Sequence, residues 1–421
     1  MKLHTTTYLL KNITLAILFT LTHSTFAPAF SPLLSKPPVK SKKSEHPVVV
    51  TYKQSEGGQF MFFAKNKDII PYTIVLKFPK LHGFESDKDL PYKAVIQPDQ
   101  EEPTLLLTLK PLKAKRRPGF SYSYQYRLGD LLKAKHDDTY LYIIPYAHAS
   151  KHQMTQGYNG GFTHIGSLGY AVDLTMPIGT EIYSARGGII IGVKEDSNIG
   201  GIDASYEKHG NYIRIYHEDG TTASYAHLKQ NGAIVEKGDK VVAGQLIGYS
   251  GNTGRTSGPH LHFDVRITDS NLESTTIPVS FRGLDGKPIT LEPMTYYYST
   301  HPELEEFPTT FGRDIINEDY DNYSKPVEEN RKVKIRHEKI DNTYVLFIEN
   351  GYDSETEVTL TLKLDRMYAS KEHPLTVTVP ALTESYLLFI RRSNSVEPKN
   401  YIKPFRFQYG YQYKFPAPQP Q

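Results

Sequence analysis

The feature that most restricts the fold of this chain is a period of two. From Val48 onward apolar residues recur at alternate positions in short runs such as "QFMFFAK", "YTIVLKF", "TLLLTLKP" and "SYSYQYRL". The same texture returns near the end in "KVKIRHEKI", "EVTLTLKL", "SYLLFIRR" and "FRFQYGY". Alternation places one set of side chains on each face of a strand, and the Gly, Pro and Asp clusters between the runs mark turns. The chain therefore reads as all-β. Its 31 tyrosines with no tryptophan suit half-buried strands.

Composition divides the chain into segments. Residues 47–135 read as an N-terminal β-sandwich and 136–298 as a central domain rich in Gly and His. An acidic linker follows over 299–330, and a C-terminal β-sandwich over 331–421. "FFAKN" at 62–66 aligns with "LFIEN" at 346–350, "TIVLKF" at 73 with "EVTLTL" at 357, and "YSYQY" at 122 with "FRFQY" at 405. The offsets of 284, 284 and 283 make the second sandwich a diverged repeat of the first. In the central domain, Asp219-Gly220 between two alternating runs signals a β-hairpin.

Lys2 and Lys11, the apolar run at 13–21 and the small residues Ala27 and Ala29 have the three-part form of a secretory signal over 1–29, with a Pro- and Lys-rich linker over 30–46. The run is far shorter than the roughly 20 residues of a spanning helix. No integral membrane segment is thus expected after cleavage, and the protein is expected to be exported, whether periplasmic, wall-associated or secreted. With no cysteine, disulfides, thiolate metal ligands and a cysteine nucleophile are excluded, so any metal falls to His, Asp or Glu. A net charge of +3, with basic runs confined to 36–43 and 113–118, implies no nucleic-acid partner.

The chemistry concentrates in "SGPHLHFDV", residues 257–265. On a strand, His260, His262 and Asp264 share one face while Leu261, Phe263 and Val265 share the other, so a row of ligand types backs onto an apolar row. His164 and Asp173 lie upstream in "GGFTHIGSLGYAVDLTMPIGTEIYSARGG", and His227 in "SYAHL". The glycines of "GYSGNTGRTSGPHLH" form the loop into the active strand. No lysine-serine pair follows them, so they are not a phosphate-binding loop.

In order and content, "YAVDLTMPIGTEIYSARGG", "GNYIRIYHEDGTTASYAHL" and "VEKGDKVVAGQLIGYSGNTGRTSGPHLHFDV" resemble the lysostaphin-type (LytM-like) zinc metallopeptidases, which cleave cell-wall peptides. The resemblance implies a central antiparallel two-sheet metallopeptidase domain flanked by the two sandwiches. It also implies one Zn2+ per chain and peptidoglycan peptides as substrate. Carried over by position, Asp173 and His262 become metal ligands, and His227 and His260 become catalytic. The common spacing places the remaining ligand histidine four residues before the aspartate, where this chain has Gly169. His164, nine before Asp173, takes that part in the longer-spaced variant of the pattern. Asp264 is a candidate to orient a histidine from behind. His148, His152 and His209 match no motif and read as surface or structural residues, and His217, just before the hairpin turn, reads as structural.

Two other functions fit the same residues: a LytM-like protein that binds or activates without cutting, and a secreted zinc protease acting on other proteins. An inhibited form would draw a fourth ligand from the acidic linker or from the stretch around Asn159.

Overall fold

The strand carrying the two histidines lies inside a nine-stranded antiparallel sheet. Its strands are β1 (Lys151–Gln156), β2 (Val172–Thr175), β3 (Gly188–Lys194), β4 (Tyr212–Tyr216), β5 (Thr222–Ala226), β6 (Lys240–Val241), β7 (His260–Thr268), β8 (Ser274–Thr276) and β9 (Tyr296–Tyr298). They lie in the order β6-β3-β4-β5-β7-β2-β1-β9, with β8 beside β7. This computed structural model describes residues 2–6, 46–98, 100–113, 118–161, 163–269, 271–392 and 405–415. The expected signal, apart from Lys2–Thr6, and the expected linker up to residue 45 lie outside the described residues. Strand makes up 51% and helix 5%, so the chain is all-β as its alternation predicts.

The apolar row of β7 explains the sheet's burial. Leu261, Phe263 and Val265 are buried with Val172 and Leu174 of β2, Ile213 and Ile215 of β4, and Tyr225 of β5. Across this core lies a three-stranded sheet of Glu181–Tyr183, Leu246–Ser250 and Leu228–Ala233, which contributes Ile182, Ile247 and Leu228. Fully burying one such side chain contributes roughly 1.5–3 kcal/mol, enough to fix the register. A slip of one residue would turn the histidines of β7 into the core. The β4–β5 hairpin turns at Asp219-Gly220, where Gly220 takes a φ of 85°.

Residues 42–307 form one compact unit, and residues 308–421, with the N-terminal strand Lys2–Thr6, form another. In the first unit, strands Val48–Gln54, Phe60–Asn66, Thr104–Pro111 and Phe84–Ser86 pair in that order. A second sheet orders Tyr92–Ile96, Tyr72–His82 and Gly119–Leu128. In the second unit, Val333–Ile340, Thr343–Asn350, Thr383–Arg392 and Met367–Ala369 pair in turn, facing Leu375–Val379, Thr356–Asp365 and Arg406–Lys414. The strand order is the same in both. The aligned asparagines also bond alike. Asn66 Nδ2 donates to Ile70 O and Ile96 O, and its Oδ1 accepts from Asp68 N. Asn350 Nδ2 donates to Ser354 O and Pro380 O, and its Oδ1 accepts from Tyr352 N, at the same distances along the chain.

The acidic stretch 299–330 is divided between the units. Ser299 and His301 bond to Ile144 O and Tyr146 O in the first. Ile315 is buried against Val345, Phe347 and Phe389 in the second, where Ser324–Pro326 adds a strand beside Thr383–Ser385.

Candidate metal centre

Directly paired residues of an antiparallel sheet point to the same face. Asp173 of β2 pairs with His262 of β7, and Thr175 with His260. The polar row of β7 therefore meets the carboxylate of its neighbour. Asp173 Oδ1 stands 3.0 Å from His262 Nδ1, 3.2 Å from His164 Nε2 and 3.6 Å from His260 Nε2. Ligand atoms of His164, Asp173 and His262 all fall within 4.8 Å of one another, and no fourth His, Asp or Glu joins them among the described residues.

His164 reaches this point because the residues after it leave the line of the chain. Gly166–Leu168 make a single 3-10 turn, Gly166 takes a φ of 58°, and Ala171 N bonds back to Leu168 O. The extra residues are absorbed in that turn, and His164 is fully buried. Gly169 belongs to the turn as well, and its carbonyl accepts from Asn159 N.

The second nitrogen of each ring has its own partner, which assigns the one that faces the centre. His164 Nδ1 donates to Gly157 O (3.0 Å) and His260 Nδ1 to Gly258 O (2.8 Å). His227 Nδ1 donates to Thr253 O (2.7 Å). In the neutral ring all three leave Nε2 with a lone pair. His262 is reversed: its Nε2 donates to Asp264 Oδ2 (3.1 Å), leaving Nδ1 toward Asp173, and Arg266 Nε holds the other Asp264 oxygen at 2.7 Å. The carboxylate behind a ligating histidine is a recurring device of metal sites.

His227 lies just past the end of β5 with a φ of 64°, a conformation that costs a non-glycine residue about 1–2 kcal/mol. Thr253 holds it there. Besides accepting from the ring, Thr253 donates its hydroxyl to Leu228 O and accepts from Asn211 N. The ring of His227 lies 4.5 Å from that of His260 and 5.8 Å from that of His262. Gly254, at a φ of 81°, is required here, since a Cβ would meet Gly210 Cα at 2.6 Å.

Charge follows from these contacts. Burial opposes ionisation of Asp173, yet hydrogen bonds from His164 and His262 and the positive charge of His262 and His260, when these rings are protonated, outweigh it and hold the carboxyl well below its ordinary range. Burial also opposes a charged His262, but Asp173 and Asp264 raise it to about 10. Burial, with the charges of His260 and His262, pushes His227 down to about 3.

The donor set fits a cation. With Nδ1–H given to Gly157 O, His164 turns Nε2 toward Asp173 Oδ1, a contact that is favourable only with positive charge between them, carried by a proton on Nε2 or by a bound cation. Two imidazoles and one carboxylate are ligands that suit zinc.

Of the residues singled out in the sequence, His164, Asp173, His227, His260 and His262 converge, and Asp264 stands behind His262. His148, His152, His209 and His217 stay outside the metal-ligand group. Not anticipated was Gln156, whose Nε2 donates to Asp173 Oδ2 (3.0 Å) and Thr163 Oγ1. Nor were the carbonyls of Gly157, Thr253 and Gly258, which have no signature in side-chain identity.

Residues 167–274 match peptidase family M23, in agreement with the resemblance read from the sequence. The match contains Asp173, His227, His260 and His262 and begins just after His164. The chain is 37% identical over 110 residues to the peptidoglycan DD-endopeptidase ShyA of Vibrio cholerae, covering 26% of this chain and 23% of that protein. It is 34% identical over 170 residues to lysostaphin of Staphylococcus simulans, covering 38% of this chain and 31% of lysostaphin. It thus spans less than a third of these relatives. Among solved structures, the lysostaphin catalytic domain from S. simulans matches at 33% identity with a TM-score of 0.22, over 30% of this chain and 88% of that one.

Proposed function

We propose that this protein is an exported, zinc-dependent endopeptidase that hydrolyses peptide bonds in peptidoglycan. The observation that carries the reading is the convergence of His164, Asp173 and His262 on one point with His260 and His227 beside it, all but His164 inside a region that matches peptidase family M23. The relatives named for peptidoglycan cleavage support the substrate class. The signal-like N-terminus supports export.

His164 through Nε2, Asp173 through Oδ1 and His262 through Nδ1 would hold the ion. Bound zinc supplies a water of lowered pKa and polarisation of the scissile carbonyl. The remaining work belongs to the chain. His260 presents an unprotonated Nε2 beside the metal ligands and takes the proton of the attacking water. His227 is neutral, with Nδ1–H committed to Thr253 O, so its Nε2 is an acceptor at the outset. It donates to the developing oxyanion or the leaving amine only after a proton has reached it. The two rings are in contact, so either can be the first to accept. Gln156 and Asp264 fix the orientation of Asp173 and His262.

The test is digestion of purified sacculi by the full chain, with and without a zinc chelator, and identification of the products by mass. Release of new peptide ends that stops with the chelator is expected. Sacculi that yield no peptide ends under any condition would overturn the reading.

A further inference from the structure

The face that bears the metal ligands continues across the sheet, and its register can be followed strand by strand. One row runs from Asp173 through His262 and Ala226 to Tyr212, and the next from Asp264 through Ser224 and Arg214 to Gly192. Between the metal ligands and the pair Tyr212 and Arg214 lie the small side chains of Ala226, which is partly exposed, and Ser224, which is buried. Beyond them Arg214 is exposed, with its guanidinium carbon 4.3 Å from the centre of the Tyr212 ring. Among the described residues no carboxylate lies within ion-pairing distance of it. Opposite Arg214 stands Gly192, which leaves the far side low. One row further, Tyr216 and Ile189 pack against the core of the N-terminal sandwich, so the face is covered there.

We propose that Arg214, seated on Tyr212, is a subsite that binds a carboxylate of the peptide substrate. This rests on the endopeptidase reading above and specifies its substrate as an acidic peptide. A ring under the guanidinium occupies its face and leaves the edge donors in a fixed plane, the geometry that a carboxylate meets with two hydrogen bonds. Strands about 4.8 Å apart place Arg214 roughly 10–12 Å from His262. An extended peptide advances about 3.3–3.6 Å per residue, so the carboxylate sits about three residues from the bond that is cut. The small, partly exposed Ala226 lets the intervening backbone lie close to the sheet.

Two synthetic cross-linked stem peptides, one with free carboxylates and one with all of them amidated, test this on the full-length protein. Affinity is read on metal-free protein by calorimetry, and KM and kcat on zinc-loaded protein. The free-acid peptide is expected to bind about 10-fold or more tightly, the scale of a charge-assisted hydrogen-bond pair. Arg214→Gln removes the preference, with the loss in KM rather than kcat, and Arg214→Lys restores part of it. Equal binding of both peptides by the natural protein, or equal weakening of both by Arg214→Gln, overturns the subsite. Discrimination in binding without cleavage of either peptide would leave the subsite standing and remove the endopeptidase reading. Cleavage of both with equal KM would do the reverse.

Discussion

Asp264 offers the sharpest test of how the centre is held. It is 3% exposed, and its oxygens take three donors: His262 Nε2 at 3.1 Å and Arg266 Nη2 at 3.4 Å on Oδ2, and Arg266 Nε at 2.7 Å on Oδ1. Asp264→Asn keeps the shape but has a single acceptor oxygen to share between His262 Nε2 and the Arg266 guanidinium. If the amide oxygen faces Arg266, the amide NH2 faces His262 Nε2 and favours the tautomer with the proton on Nδ1, the nitrogen needed by the metal. If the oxygen faces His262, the amide NH2 meets the guanidinium instead. Loss of such a carboxylate partner typically weakens metal binding 10–100-fold, about 1.4–2.7 kcal/mol. Competition of the purified protein against a chelator of known affinity measures this, with the melting temperature of the metal-free protein as a control for folding. Adding Arg266→Gln frees the amide oxygen to turn to His262 and should recover part of the affinity. Unchanged zinc affinity in a folded Asp264→Asn protein would refute the argument that this carboxylate sets the His262 tautomer.

Alanine at His262 should abolish tight zinc binding and hydrolysis together, whereas alanine at His260 or His227 should keep the metal and lower kcat about 10²–10⁴-fold; full activity of His262→Ala would reject the ligand assignment. His217 is buried with Nδ1 on Gly187 O and no hydrogen-bond partner for Nε2 among the described residues, and burial lowers it from 6.5 to about 4. The unfolded chain therefore binds the proton first, so the contribution of His217 to stability is complete above pH 6.5 and is lost as the pH falls toward 4, by at most about 3 kcal/mol. Denaturant melts across that window should show a shallower slope for His217→Asn than for the natural protein, and identical slopes would count against this. Asn66→Ala and Asn350→Ala each strand buried carbonyls and should each cost about 1–3 kcal/mol. A marked difference between the two losses in thermal melts would argue against equivalent roles.

That last pair bears on how much of the fold was legible. The offsets of 284 are visible in a bare sequence only because strands alternate, and any two sandwiches alternate. We propose that the two are copies of one unit, supported by their shared strand order and by the matched bonds of Asn66 and Asn350. The strand "PHLHFDV" could be placed because its two rows of side chains differ so sharply in polarity. His164 was harder. Sequence spacing counts residues along the chain, and a 3-10 turn opening at a positive-φ glycine removes several of them from the path to Asp173. Gln156 escaped notice because it faces Asp173 only through an irregularity in the β1–β2 register, which period-two reasoning cannot foresee.

The division of labour among the histidines is set by the backbone as much as by the side chains. His260 and His262 stand on the same face of one strand, and alternation alone treats them as equivalent. They differ because the carbonyl of Gly258 lies against Nδ1 of one, while the carboxylate of Asp264 lies against Nε2 of the other. In the proposed site the first is left with Nε2 to serve as a base, and the second would turn Nδ1 to the metal, backed by a full negative charge that strengthens it as a ligand. His227 falls with His260 by the same logic, because its partner is again a neutral carbonyl. A ring paired with a carbonyl can give up and regain a proton at its free nitrogen without disturbing its anchor. A ring paired with a buried carboxylate is held in one tautomer, the condition a lasting metal ligand requires.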